Sequence, residues 1–349
     1  MLRKFLKNSL LGIALLGLSA LISAFLGAPA QAGVTKESAD FEVQRIPSSG
    51  QVNTSANYFD LRFKPKSTQT IRMRVQNFSD HKITVHSTLR NAMTQMGGGI
   101  SFTENTEALD PSLKYPFTKL AKLKKGHQKI KLAPQQAKII EATIKMPAKH
   151  FEGMVYGDWH FIEYAKKNKG KSATISGNYA YSMGIALRGR AYNIYPKLKY
   201  RDVTPTLYHR HPAIAVNLRN IKPMALTKVS AQAVITPQGK DKPKYVFQKA
   251  DTSVAPNSVI SLPISWAYNR LKPGKYTVKA KLSGQNLWNR LPMQWTFKKS
   301  FTVSKDTADK LNKQAIKKPV NKWAFAAVAS GALMIVSAVA LWRVIRLRP

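Results

Sequence analysis

Short stretches in which apolar and polar residues alternate, each closed off by Pro, Gly or Asn, constrain this chain more than any other feature. Ile71, Met73 and Val75 alternate with Arg72, Arg74 and Gln76, a pattern that buries one face of a strand and wets the other. After Asn77-Phe78-Ser79-Asp80, whose residues suit a tight turn, Ile83 and Val85 resume it. Runs of the same texture follow at residues 128–132, 138–146, 154–164, 179–190, 213–218, 228–235, 259–266, 275–282 and 295–303. No long helical period interrupts them between Gly33 and Ser304. Many short strands with turn signals between them predict an all-β fold of two antiparallel immunoglobulin-like β-sandwich domains. Residues 165–178, rich in Lys, Gly and Ser, divide the two at 33–165 and 178–304.

The two ends read differently. Residues 1–32 have the form of a secretory signal peptide: Arg3, Lys4 and Lys7, then an apolar core, then Ala30-Gln31-Ala32 as small residues for a peptidase. An uncleaved anchor helix is the alternative. Residues 323–342 contain no charge and as a helix would span about 30 Å, a bilayer core, with Trp323 and Trp342 at the two interfaces. Lys317, Lys318 and Lys322 before this span nearly balance Arg343, Arg346 and Arg348 after it, so orientation rests on the signal. A translocated N-terminus makes the chain a single-pass type I cell-membrane protein, its ectodomain on the outer face within the cell wall. Residues 305–322 would be a Lys-rich tether and 343–349 a cytoplasmic tail.

Charge limits the partners. The chain carries 56 Lys and Arg against 17 Asp and Glu, a formal +39, and each end holds three cations and no acid, which leaves +33 for the segment between. A surface this basic repels itself unless anions accompany it. An exported, tethered chain points away from nucleic acid and towards anionic wall polymers, lipid headgroups or an acidic protein. A lineage that simply runs basic is the alternative. Without cysteine there is no disulfide, thiol nucleophile or Cys-based metal site.

No enzyme constellation stands out, and no catalytic, cofactor-binding or metal site is expected. His209-x-His211 lacks a third ligand and reads as a loop pair before Pro212. Gly97-Gly98-Gly99 lacks the Lys-Ser/Thr of a phosphate loop. On an extended strand Asp158 and His160 share a face while Glu163 lies opposite. The long segment 94–129 has little alternation; long loops on rigid sandwiches often carry binding function. Tyr115 and Phe117 are the aromatic residues that stand out within it. An end plug for the first sandwich is the alternative for both.

An ordered set of short motifs resembles the WxL-interacting protein family of Gram-positive bacteria. In the first half these are Tyr58-Phe59-Asp60-Leu61, Lys64-Pro65, Val75-x-Asn77-x-Ser79 with Ile83-Thr84-Val85, Ala92-x-Thr94, Met146-Pro147 and Phe151-x-Gly153. In the second they are Pro256-Asn257-Ser258, Pro263-Ile264-x-Trp266 and Leu271-x-Pro273-Gly274-x-Tyr276. Two departures are Lys66, where the family has Gly after Lys-Pro, and Gly157-Asp158-Trp159, where it tends to Gly-Gly-Ile. The resemblance implies a peptidoglycan-binding domain, a WxL-binding domain and a C-terminal membrane helix. The expectation is therefore a non-enzymatic cell-surface adaptor that holds peptidoglycan through its first domain, with Tyr115 and Phe117 as the candidate glycan contacts since a ring can lie against the apolar face of a sugar, and the WxL domain of secreted surface proteins through its second. An assembly or structural factor for exported proteins without glycan binding is the runner-up, and a wall hydrolase comes third. The second domain would offer its partner a free sheet edge or an aromatic pocket.

Overall fold

The computed structural model describes residues 39–107, 109–164, 178–189, 194–319 and 322–346; the expected signal peptide and, but for Asn178, the stretch expected to divide the domains lie outside them. The first sandwich is built from β1 (Phe41–Ile46), β2 (Phe59–Leu61), β3 (Thr68–Asn77), β4 (Ile83–Thr94), β5 (Ile100–Thr103), the single-turn α1 (Phe117–Leu120), β6 (Ala121–Leu123), β7 (Lys129–Leu132), β8 (Ala137–Lys145), β9 (Met154–Glu163) and β10 (Tyr179–Arg188). One sheet runs β1-β3-β8-β6; the other runs β2-β10-β9-β4-β5, with β7 also paired to β4. The alternation read from β3 is realised, with Ile71, Met73 and Val75 fully buried. Trp159 and Phe161 on β9 stack 5.6 Å apart in the same core, and the Trp159 indole donates to Ser87 Oγ at 2.7 Å.

One strand crosses the expected boundary. β10, read from the sequence as the first strand of the second domain, pairs antiparallel with β9 and parallel with β2, so it lies between them in the first sandwich. The β2–β10 pair is also a parallel element in an otherwise antiparallel design.

The second sandwich comprises β11 (Leu198–Tyr208), β12 (His211–Asn220), β13 (Leu226–Pro237), β14 (Tyr245–Val254), β15 (Ser258–Ser265), β16 (Gly274–Asn286) and β17 (Pro292–Val303), in sheets β11-β12-β15 and β14-β13-β16-β17. Its aliphatic core, including Val216, Leu262, Ile235 and Val278, is closed at one end by aromatic rings. There Tyr245 stacks on Trp266 at 4.0 Å and Tyr276 on Phe301 at 5.6 Å.

The segment expected as a tether begins as a packed helix instead. α2 (Lys305–Gln314) starts at Ser304, whose hydroxyl caps the Thr307 amide at 3.2 Å, and buries Ala308 and Leu311 in the second core. α3 (Lys322–Arg346) contains the uncharged run and is long and apolar enough to cross a membrane; Phe325, Leu333 and Ile335 on it are exposed.

The sandwiches join through the loop that opens with the triple glycine. Gly97, Gly98 and Gly99 have φ of 82°, 94° and 104°, a region that favours glycine. Gly97 N–H donates to Ser261 O at 2.7 Å and Gly99 N–H to Ser253 O at 2.8 Å, which lays this loop on the second sandwich. A Cβ on Gly98 would come within 2.7 Å of the Thr252 side chain. Nearby, Arg219 grips the buried Asp110 carboxylate with two bonds of 2.6 and 2.8 Å. Met154 and Ala186 pack with Ile194 and Met224 beside Trp288.

Candidate functional site

Along β4 the wall of the larger sheet is interrupted. β7 pairs with Ile83–His86 and β5 with Asn91–Thr94 on the edge away from β9, and among the described residues no strand covers residues 87–90 there. The gap opens into a cleft of about 760 Å³ lined by His86, Thr88, Arg90, Glu104, Thr118, Lys122, Gln128, His160 and Tyr164, among others.

Strand alternation places the polar groups. Register sets Arg90 opposite Asp158 and Thr88 opposite His160, all facing away from the core that holds Trp159 and Phe161. Asp158 is fully buried; Arg90 Nε donates to its Oδ2 at 2.9 Å and Arg90 Nη2 also reaches Ser182 Oγ at 2.9 Å. Burial pushes the Asp158 carboxyl above its ordinary range, against the hydrogen bonds from Arg90. Among the described residues its Oδ1, like the Thr88 hydroxyl, is buried without a hydrogen-bond partner. Burial and the neighbouring Arg90 guanidinium lower the His160 pKa, which favours the neutral ring. The cleft thus combines hydroxyl, imidazole and amide groups with cations at Arg90 and Lys122 and an acid at Glu104. Tyr164 is 58% exposed at its rim, set edge-on to His86 at 5.2 Å. That mix suits a sugar chain bearing acyl-amide and carboxylate groups: hydrogen bonds in the cleft, a ring for an apolar sugar face, cations for the acids.

Tyr115 and Phe117 lie elsewhere. Phe117 is fully buried and packs so tightly on Gly157 that a Cβ there would sit 2.1 Å from its ring. Tyr115 is half-buried against Phe151, ring centroids 5.9 Å apart. Neither presents a free ring face like that of Tyr164. Their segment nevertheless walls the cleft, because Asn91 clamps α1: its Oδ1 accepts from Thr118 N–H at 3.1 Å and its Nδ2 donates to Thr118 Oγ1 at 2.9 Å. The exposed aromatic at the cleft, Tyr164, follows the end of β9.

His209 and Arg210 form the β11–β12 turn with φ of 48° and 63°. His211 packs against Tyr268 at 4.7 Å, and no group of potential metal ligands occurs among the described residues. Asp158 and His160 share the outward face as expected, and Asp158 pairs with Arg90.

The second sandwich has an edge strand and an aromatic-lined hollow. β17 is a 12-residue edge strand with Met293, Trp295 and Phe297 partly buried along it. The aromatic stack leaves a hollow of about 620 Å³ between Tyr245, Tyr276, Lys272 and the 238–244 turn, while Trp266 itself is 1% exposed.

Comparison with known proteins matches these halves separately. The model of the WxL Interacting Protein peptidoglycan binding domain covers residues 41–163, and that of the WxL Interacting Protein host binding domain covers 170–313. The second description says host binding where the sequence reading expected a WxL-binding domain. The second match also begins before β10, so that strand belongs to one family segment and to the other sandwich. No curated protein matches the chain. Among solved structures, a chain from the chaperone–tip adhesin complex of CFA/I fimbriae is similar at 12% identity and TM-score 0.33, covering 74% of this chain and 98% of that one. The chaperone–tip adhesion subunit complex of the Csu pili of Acinetobacter baumannii follows at 10% identity and TM-score 0.31, covering 67% and 93%. Likeness at that level locates no site.

Proposed function

This chain belongs to the WxL-interacting protein family, and from that premise we propose that it is a membrane-anchored adaptor joining peptidoglycan to a protein partner. The observation that carries the reading is the polar cleft in the interrupted β4 wall, whose lining lies within the segment matched by the peptidoglycan-binding model except for Tyr164, the residue just after it. Glycan binds there, with Tyr164 against a sugar ring and Arg90 and Lys122 meeting carboxylates. Tyr115 and Phe117 support that contact from behind, by holding α1 and with it Thr118 and Lys122 in place.

The second sandwich takes the protein partner along the β17 edge, by strand addition. The WxL domain of a secreted surface protein is the partner first proposed; the host-binding description of the matching model supports a host protein as the second. α3 fixes both contacts to the cell surface, and two modest contacts on one anchor act at high effective concentration. An assembly factor without glycan affinity is the competing reading.

Full-length protein mixed with purified peptidoglycan tests the first half: it should sediment with the insoluble wall and release no soluble fragments. A protein that stays in solution would favour the assembly factor, and released muropeptides a hydrolase. Recovery of the protein from its own cells should bring WxL-domain proteins with it; their absence, with capture of host surface proteins instead, would favour the second partner.

A further inference from the structure

The two ends of the second sandwich differ in what surrounds them. At one end Ala255, Asn257 and Ser258 lie against the first sandwich and its loops, bonded to Thr94 and Ser112. At the other the β11–β12, β13–β14 and β15–β16 connections come together. Register and bonding fix this: Tyr208 pairs with His211, Pro237 with Tyr276 and Gly274 with Val303, while Trp266 N–H donates to Pro212 O at 2.8 Å. The chain leaves from this same end. Asn312 on α2 exchanges bonds of 2.8 and 2.9 Å with the Leu271 backbone, and Ile316 N–H donates to Arg210 O at 2.8 Å.

Ile316 is therefore still fixed to the sandwich, and α3 begins at Lys322. Even fully extended, the chain between them reaches roughly 20 Å. If α3 is inserted in a membrane, these three connections cannot stand far from its surface. They carry exposed Arg210, Lys240, Lys242, Lys244, Arg270 and Lys272 against Asp241, and the adjoining α2 adds Asp306 and Asp309. Arg270 faces Asp309 at 3.9 Å, and no ion pair engages the other five cations among the described residues. Lys240, Lys242, Lys244 and Lys272 ring the hollow over Tyr245 and Tyr276, and Tyr268 is 48% exposed on the neighbouring turn, an amphipathic ring suited to an interface.

We infer that this end of the second sandwich is a docking surface for anionic lipid headgroups, which seats the ectodomain on the bilayer in a fixed orientation. The inference rests on the reading of α3 as a membrane anchor. Cations near an anionic surface are each held there, and the attraction fades within a Debye length. Seating this end turns the opposite end, with the first sandwich joined to it, towards the wall.

The test places the full chain in nanodiscs of phosphatidylcholine alone or with phosphatidylglycerol, and measures acylation of each lysine by a neutral reagent. Lys240, Lys242, Lys244 and Lys272 should react roughly fivefold more slowly on the anionic discs, with the difference removed by high salt. Lys64 and Lys149 on the first sandwich should react alike on both. Equal rates at the four lysines, with the chain retained in the disc, would overturn the docking surface and leave the anchor standing. A chain that washes out of vesicles at alkaline pH would contradict the anchor and the docking surface together.

Discussion

The two sandwiches share an architecture and place their polar groups differently. The first buries carboxylates outside its apolar core: Asp158 with Arg90, and Asp60 with Arg188 through bonds of 2.5 and 2.6 Å. Its Asp110, on the loop between strands, is held by Arg219 of the second. Among the described residues the second sandwich buries no carboxylate of its own; it closes one end with aromatic rings and carries its cations outside. Burying a charge is costly unless it is paired, and breaking such a pair costs more than never having made it. The acids of the first sandwich therefore mark where its outer surface is committed, either to the cleft or to the joint. The second meets the first at one end and, among the described residues, leaves the outer edge of β17 without a strand partner.

The sharpest way to break this comparison is to cut the chain. Residues 33–165 alone lack β10, which leaves β9 as an edge and β2 without its strand partner. That piece should show no cooperative unfolding, and extending it to residue 189 should restore it. Folding of the shorter piece would return β10 to the second domain. Next in size is Phe117→Ala, which empties a fully buried aromatic site and should cost about 3–5 kcal/mol of first-sandwich stability. A loss under about 1 kcal/mol would mean that α1 is held without it.

The joint gives a smaller, pH-dependent effect. Asp110→Asn should weaken docking of the sandwiches by about 3 kcal/mol at neutral pH, seen as two separated thermal transitions. Burial would raise the Asp110 carboxyl, but hydrogen bonds from Arg219 and Ser112 outweigh it and hold the group below its ordinary value. A carboxyl lowered in the folded state contributes its full stability above the unfolded value of about 3.9, and loses it as pH falls through the lowered one. The gap between wild type and Asp110→Asn should therefore stay constant from neutral pH to about pH 5 and close in stronger acid. A gap that widens in acid would show that the pair does not hold the joint.

Much of the fold was legible, and the misses have physical reasons. Strands buried on one face, such as β3, β9 and β16, announce themselves by alternation because the core demands it. β11 was missed because Pro205 interrupts it; the strand lies at a sheet edge, where an absent N–H is tolerated. β14 was missed because Gln248, Lys249 and Ala250 are exposed at the other edge. α2 was read as tether since it buries little beyond Ala308 and Leu311, although Ser304 and Asp306 form a start signal. The placement of β10 was out of reach, because its alternation shows that it is a strand and not which sheet accepts it. In the site, the triple glycine and Phe117 drew attention for good reason, but they build the joint and the core. Arg90 and Asp158, far apart in the chain, meet only through the β4–β9 register.

The most direct test of the adaptor account is sedimentation of the full chain with peptidoglycan stripped of its anionic polymers, at high salt, comparing wild type with the Tyr164→Ala, Lys122→Gln double variant. Tyr164 is exposed and Lys122 lies at the cleft rim, so the unfolding midpoint should not move. The account predicts that about tenfold more variant stays in solution, the loss of one stacked ring and one cation together. Undiminished binding by a folded variant would contradict it and move the glycan contact away from the β4 cleft.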